Sequence, residues 1–162
     1  MFALGHLGLG KTIAVRPFGR FSAAEKRAFF LGALLPDLID KPLFYIPFWV
    51  TGQRGAVLSG THLFAHTGLF LVGLSLTALL TRAAAARAVA IGVATHFILD
   101  VVSLSMGIGT LLWPFLGWRF PAFPFRSVGQ HLATILSPIT LAGELLGASI
   151  LFWDWRSRRA KR

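Results

Sequence analysis

The chain has no cysteine. That excludes disulfides and thiolate zinc sites, so any metal it holds must take nitrogen and oxygen ligands. Charge is scarce as well. Asp, Glu, Lys and Arg make up 14% of the 162 residues and hydrophobic residues 55%, whereas soluble domains carry roughly 25% charged residues. A water-soluble fold of this size would lack the polar side chains to cover its surface, and a lipid-facing exterior is the simpler account. There is no internal repeat and no low-complexity linker, and the length suits one domain, residues 1–162. A cleaved signal is not expected either, because residues 1–10 lack a basic segment and Gly5, Gly8 and Gly10 interrupt their apolar stretch.

The charge that is present is mostly positive, with a net value of +10. Its distribution disfavours nucleic acid as the partner. Lys11, Arg16, Arg20, Lys26 and Arg27 precede the first long apolar run, and Arg156, Arg158, Arg159, Lys161 and Arg162 follow the last, forming a basic tail over 156–162. Basic flanks around apolar spans set topology and attract anionic lipid.

Four apolar stretches predict an all-α, polytopic bundle with about four spans, at residues 28–50, 63–80, 88–106 and 132–153. Pro36, Pro42 and Pro47 predict a broken first span, with Pro36 opening a second half-helix. Ser22-Ala-Ala-Glu25 matches a capping box and predicts a helix start near Ala23. Pro138 interrupts the fourth stretch near its start. Between the third and fourth spans, Trp113 to Phe125 is dense in Trp, Phe and Pro, which predicts an aromatic loop at the membrane interface. With both termini cytoplasmic, twelve Lys and Arg fall inside and three (Arg54, Arg119 and Arg126) outside.

Ionisable residues inside these apolar stretches cost about 2.5–3.5 kcal/mol each at mid-membrane on insertion scales, and they usually face a bundle interior. Here they come in pairs. Asp37 and Asp40 are three apart; His62 and His66 are four apart, as are His96 and Asp100. On helices, such spacings put both members on one face. Three helices presenting two ligand-type side chains each is how bundles build metal sites. Each pair has a plainer reading: a hydrogen-bonded core histidine, Asp37 and Asp40 as a helix cap and a partner for Lys41, or an intrahelical His96–Asp100 bond. Three such coincidences among six acids and five histidines favour the metal. His131 reads as a surface residue. Glu144 faces inward or sits within the close-packing pattern Gly143-Glu-Leu-Leu-Gly147.

The same residues, in order, resemble a known signature. His6, Leu35-Pro36-Asp37 with Asp40, His66-Thr67, His96-Phe-Ile-Leu-Asp100 and Trp113-Pro114-Phe115 are similar to the motifs of the membrane-bound metal-dependent hydrolases, the inner-membrane-associated family described as LexA-binding. The resemblance covers about residues 1–120. One element departs: where many members have His-Arg-Gly-x-Thr-His, this chain reads Gly60-Thr-His62-Leu-Phe-Ala-His66, so His62 rests on spacing alone. The resemblance implies a relationship to zinc-dependent phospholipase C and single-strand-specific nucleases, and hydrolysis of a phosphoester by a metal-activated water. It implies His66, His96, Asp100 and Asp37 as ligands, His6 as a further ligand, and Asp40 as a bridging ligand or, with Asp37, a catalytic acid–base group. Zinc is the default metal, with manganese or iron as alternatives.

A site between membrane helices makes a lipid phosphate or lipid-linked substrate the expectation, at the inner (plasma) membrane and opening away from the cytoplasm. The competing readings are a non-enzymatic protein whose cluster holds a structural metal or relays ions or protons, and a scaffold recruiting partners through its basic tails.

Overall fold

The computed structural model describes residues 3–18, 21–51, 60–121, 129 and 133–160. These residues are helical and contain no strand. The elements are α1 (Ala3–Phe18), α2 (Ala23–Thr51), a 3-10 turn (Phe64–His66), α3 (Gly68–Thr81), α4 (Ala84–Val102), the short α5 (Ile108–Leu111), a second 3-10 turn (Thr134–Leu136) and α6 (Pro138–Arg159). His131 lies outside the described residues.

Each start has a local cause. At α2 the capping box forms as the sequence predicts: the Glu25 amide donates to Ser22 Oγ at 3.2 Å, and the Ser22 amide donates to Glu25 Oε2 at 2.9 Å. Those bonds hold the Glu25 carboxyl below its ordinary range. The Thr67 hydroxyl caps α3 by accepting from the Phe70 amide at 3.2 Å. Pro138 occupies the first turn of α6, where its missing N–H costs nothing, so it opens the helix rather than interrupting it.

Two expectations need correction. The first stretch is not broken at Pro36. Helix α2 runs 29 residues through Pro36, Pro42 and Pro47, about 44 Å at 1.5 Å per residue. Proline is tolerated in apolar bundles when neighbours satisfy the freed backbone groups. Pro36 has no amide to offer the Gly32 carbonyl one turn earlier, and the neighbouring Ala33 carbonyl accepts from His96 of α4 at 2.8 Å. Second, His62 and His66 do not share a helix. Helix α3 begins only at Gly68, which leaves His62 in the irregular segment before the 3-10 turn and His66 at the end of that turn.

The most extensive packing is between α2 and α4, then between α1 and α6. Both interfaces need glycine. A Cβ on Gly92 would lie 2.3 Å from the Phe29 carbonyl, and one on Gly8 would lie 2.2 Å from the Gly147 carbonyl, so side chains there would force the helices apart. Phe29, Ala33, Ala14 and Ala88 form the core between α1, α2 and α4; Val93, Phe97 and Met106 form the core beside α3.

The contacts also fix direction. Leu4 and Gly5 meet Glu144, Gly8 meets Gly147 and Lys11 meets Asp154, so α1 and α6 are parallel. Gly10 meets Thr95 while His6 meets Asp100, so α1 opposes α4. One end of the bundle therefore gathers Lys11, Lys26, Arg27, Arg82, Arg87 and Arg156–Arg159. The start of α1 and the end of α6 lie towards opposite ends of the bundle. Helix α4 is the one described helix both long and apolar enough to cross a membrane; α3 is apolar but has 14 residues.

Candidate metal centre

Opposite the basic end, the first turns of α1, the middle of α2, the 3-10 turn and the last turns of α4 converge. His6, His66 and His96 are fully buried, and Asp100 is 1% exposed. Asp100 is the hub. Its Oδ1 lies 3.3 Å from His6 Nε2, and its Oδ2 lies 3.2 Å from His96 Nε2, 3.5 Å from His62 Nε2 and 3.8 Å from His66 Nε2. Asp37 Oδ1 lies 3.6 Å from His66 Nε2. The rings of His6 and His96 stack at 3.9 Å. Three overlapping groups have ligand atoms close enough to share an ion: His6 with His96 and Asp100, Asp37 with His66 and His96, and His62 with His66 and Asp100.

Asp40 stands one step behind them and belongs to none of these groups. It is fully buried. Its carboxylate accepts from the amides of Leu63 at 2.7 Å, Ala65 at 3.0 Å and His66 at 3.2 Å, and from His66 Nδ1 at 2.7 Å. With both oxygens occupied, Asp40 folds the 60–66 segment around itself and aims His66.

The tautomers follow from these partners. A carbonyl and a carboxylate only accept, so His96 carries its proton on Nδ1, facing Ala33, and His66 carries its proton on Nδ1, facing Asp40. In the neutral rings both Nε2 atoms present lone pairs, and they stand 3.2 Å apart. Two lone pairs cannot bond each other; a metal ion or a shared proton between them resolves the pair. Charge favours the metal ion. Asp37, Asp40 and Asp100 against Lys41 leave two negative charges in the neighbourhood, which matches one divalent ion. The donor set of imidazole nitrogens and carboxylate oxygens, with outer partners orienting the rings, fits zinc-class metals.

Sequence reasoning missed three contributors. The Schellman turn ending α4 puts Leu104 in the left-handed region (φ 56°), with the Ser105 amide bonded to the Asp100 carbonyl at 2.9 Å. That turn brings Ser105 Oγ to Asp100 Oδ1 at 2.9 Å. The Ala33 carbonyl is likewise invisible as a side-chain pattern. Glu144 faces inward as one reading expected, but its carboxylate caps the start of α1 by accepting from the amides of Leu4 and Gly5, both at 3.0 Å. It thereby holds His6 at the cluster.

Access lies on one side. The His62 and Asp37 side chains keep 20% and 14% exposure where the rest of the cluster keeps 2% or less. Lys41 sits there too, donating to Asp37 Oδ2 at 2.6 Å. Behind the 3-10 turn, Phe64 and Trp113 meet edge to face at 5.4 Å and Trp113 stacks on Phe120 at 5.0 Å, so the aromatic loop braces the turn that carries His66. Residues 122–125 of that loop lie outside the described residues.

The chain matches the family described as YdjM inner membrane protein over residues 1–160, and it belongs to that family. The match runs from before His6 to beyond α6, well past the motifs noted in the sequence. No curated protein and no solved structure matches the chain.

Proposed function

We propose that this member of the YdjM inner membrane protein family is a membrane-embedded, metal-dependent hydrolase of phosphoester bonds in a lipid or lipid-linked substrate. The observation that carries the reading is the pair of imidazole Nε2 atoms held 3.2 Å apart with their protons committed elsewhere, ringed by Asp37 and Asp100. His6, His62, His66, His96, Asp37 and Asp100 would hold one or more zinc-class ions. When bound with an open position, such an ion acts as a Lewis acid and lowers the pKa of water towards ~7. Asp40 positions His66, Ala33 positions His96 and Ser105 positions Asp100. At the accessible edge, Asp37 faces the cluster through Oδ1 and Lys41 through Oδ2, and Lys41 supplies a cation for a phosphate oxygen. The apolar surroundings support a substrate drawn from the bilayer. The basic end supports a cytoplasmic assignment for that pole, with the cluster opening towards the other face.

The test is a phosphodiesterase assay on the purified protein in detergent, with chelator and with metal restored. Turnover that disappears on chelation, returns with zinc or manganese and is absent in His96→Ala supports the reading. Stoichiometric metal without turnover on aryl phosphodiesters or phospholipids would reduce it to a structural site.

A second reading has a specific observation behind it. A single proton between His66 Nε2 and His96 Nε2 also satisfies both atoms, as a relay of protons would require. Metal-free protein that conducts protons in liposomes would favour it.

A further inference from the structure

A groove lies at the opposite end of the molecule from the metal cluster. It has a volume of about 460 Å³ and opens between the first turn of α2, the later half of α3 and the first half of α4. That volume is within the roughly 300–1,000 Å³ of small-molecule sites. Its walls are apolar, with Ala78 and Leu79 from α3 facing Ala88 and Ile91 from α4. Two charged side chains of opposite sign line it, Glu25 and Arg87. Arg87 precedes His96 by nine residues on α4, which is about 13 Å along the axis, and the groove shares no residue with the metal cluster.

The charges are placed with some definition. Glu25 is held by the capping box through Oε2, and Arg87 lines the same groove from α4. The outer face of α3 beside the groove, Leu76 and Leu80, is 52% and 83% exposed, an apolar surface suited to acyl chains. An occupant that matches every wall needs an apolar chain, an anionic oxygen for Arg87 and a hydrogen-bonding cation for Glu25.

We propose that this groove binds a phospholipid with a primary ammonium headgroup, of the phosphatidylethanolamine type. One acyl chain lies along Ala78, Leu79, Ala88 and Ile91, the phosphodiester meets Arg87, and the ammonium donates to Glu25. Purely anionic lipid satisfies Arg87 but is repelled by Glu25. Phosphatidylcholine satisfies the charges but has no N–H to donate.

Native mass spectrometry of the full chain in detergent, titrated with phosphatidylethanolamine, phosphatidylglycerol or phosphatidylcholine of identical chains, tests this. Wild type is expected to retain phosphatidylethanolamine at least fivefold more tightly than either alternative. Glu25→Gln should erase that preference while keeping the fold, because glutamine also completes a capping box. Arg87→Gln should weaken all three lipids, and Leu79→Trp, which fills the mouth, should do the same. Circular dichroism identifies any variant that has lost helix, and the lipid comparison in wild type stands without the variants. Equal or tighter retention of phosphatidylglycerol by wild type would overturn the proposal in favour of general attraction to the basic end. A preference unchanged in Glu25→Gln would overturn it as well.

Discussion

The two ends of the bundle treat carboxylates in opposite ways. At the basic end, Asp154 sits at the surface, ion-paired with Lys11 and 3.7 Å from Arg158, with its side chain 34% exposed. At the other end, Asp100 is buried among four imidazoles and Asp40 among backbone amides. A pair still in contact with water gives up only part of its hydration and gains little, typically under about 1 kcal/mol. A buried carboxylate loses its hydration and persists only where its lone pairs are answered. The same side chain is thus a minor clamp at one end and the organising element at the other.

The largest effect is expected from Asp40. Asp40→Ala strands three buried amides and the His66 ring, and should destabilise the protein by about 3–5 kcal/mol, the range for breaking a buried charged network. Amide exchange at Leu63, Ala65 and His66 should accelerate most. Protection at those three amides equal to wild type would show that the 60–66 segment does not depend on Asp40.

Next comes the hub. Asp100→Asn keeps shape but removes the charge, and should lower metal affinity at least tenfold, since even outer partners of metal ligands are worth 10–100-fold. Elemental analysis after dialysis against a weak chelator reads this. The same assay across pH should show occupancy falling as acidity rises, because a protonated Nε2 cannot ligate.

Glu144→Ala removes the cap from α1 and should cost about 1 kcal/mol. It should also weaken metal binding, through His6, without touching the other ligands. The smallest effect is assigned to the basic end: Asp154→Asn should change stability by less than about 1 kcal/mol and leave metal content unaltered. A larger loss there than at Glu144 would erase the contrast between the two ends.

How far the sequence could lead depends on whether a residue's role follows helical period. His96 and Asp100 are four apart on α4, and their convergence was readable from that spacing. Asp37 and Asp40 also lie on one helix, but spacing could not reveal that Asp37 turns to the imidazoles while Asp40 turns to loop amides. His62 and His66 do come to the cluster, yet the cause is Asp40 gathering the turn rather than a shared helical face. Pro36 signalled a break that α2 does not make, and the bond from His96 to the Ala33 carbonyl links residues 63 apart. The position of His6 depends on Glu144 capping α1 from α6, a contact across 139 or more residues that no local pattern encodes. The helical class and the capping box were legible because composition and local hydrogen bonds decide them.

The central claim is that a cation resolves the facing lone pairs of His66 and His96. X-ray absorption spectroscopy of the purified protein, joined to elemental analysis, tests it directly. The account predicts a bound zinc-class ion with nitrogen and oxygen neighbours near ~2.0–2.1 Å, imidazole outer-shell scattering, and loss of that signal in His96→Ala. A folded protein that stays metal-free when zinc, manganese and iron are each supplied, with one proton shared between His66 and His96 by nitrogen-15 NMR, would contradict it.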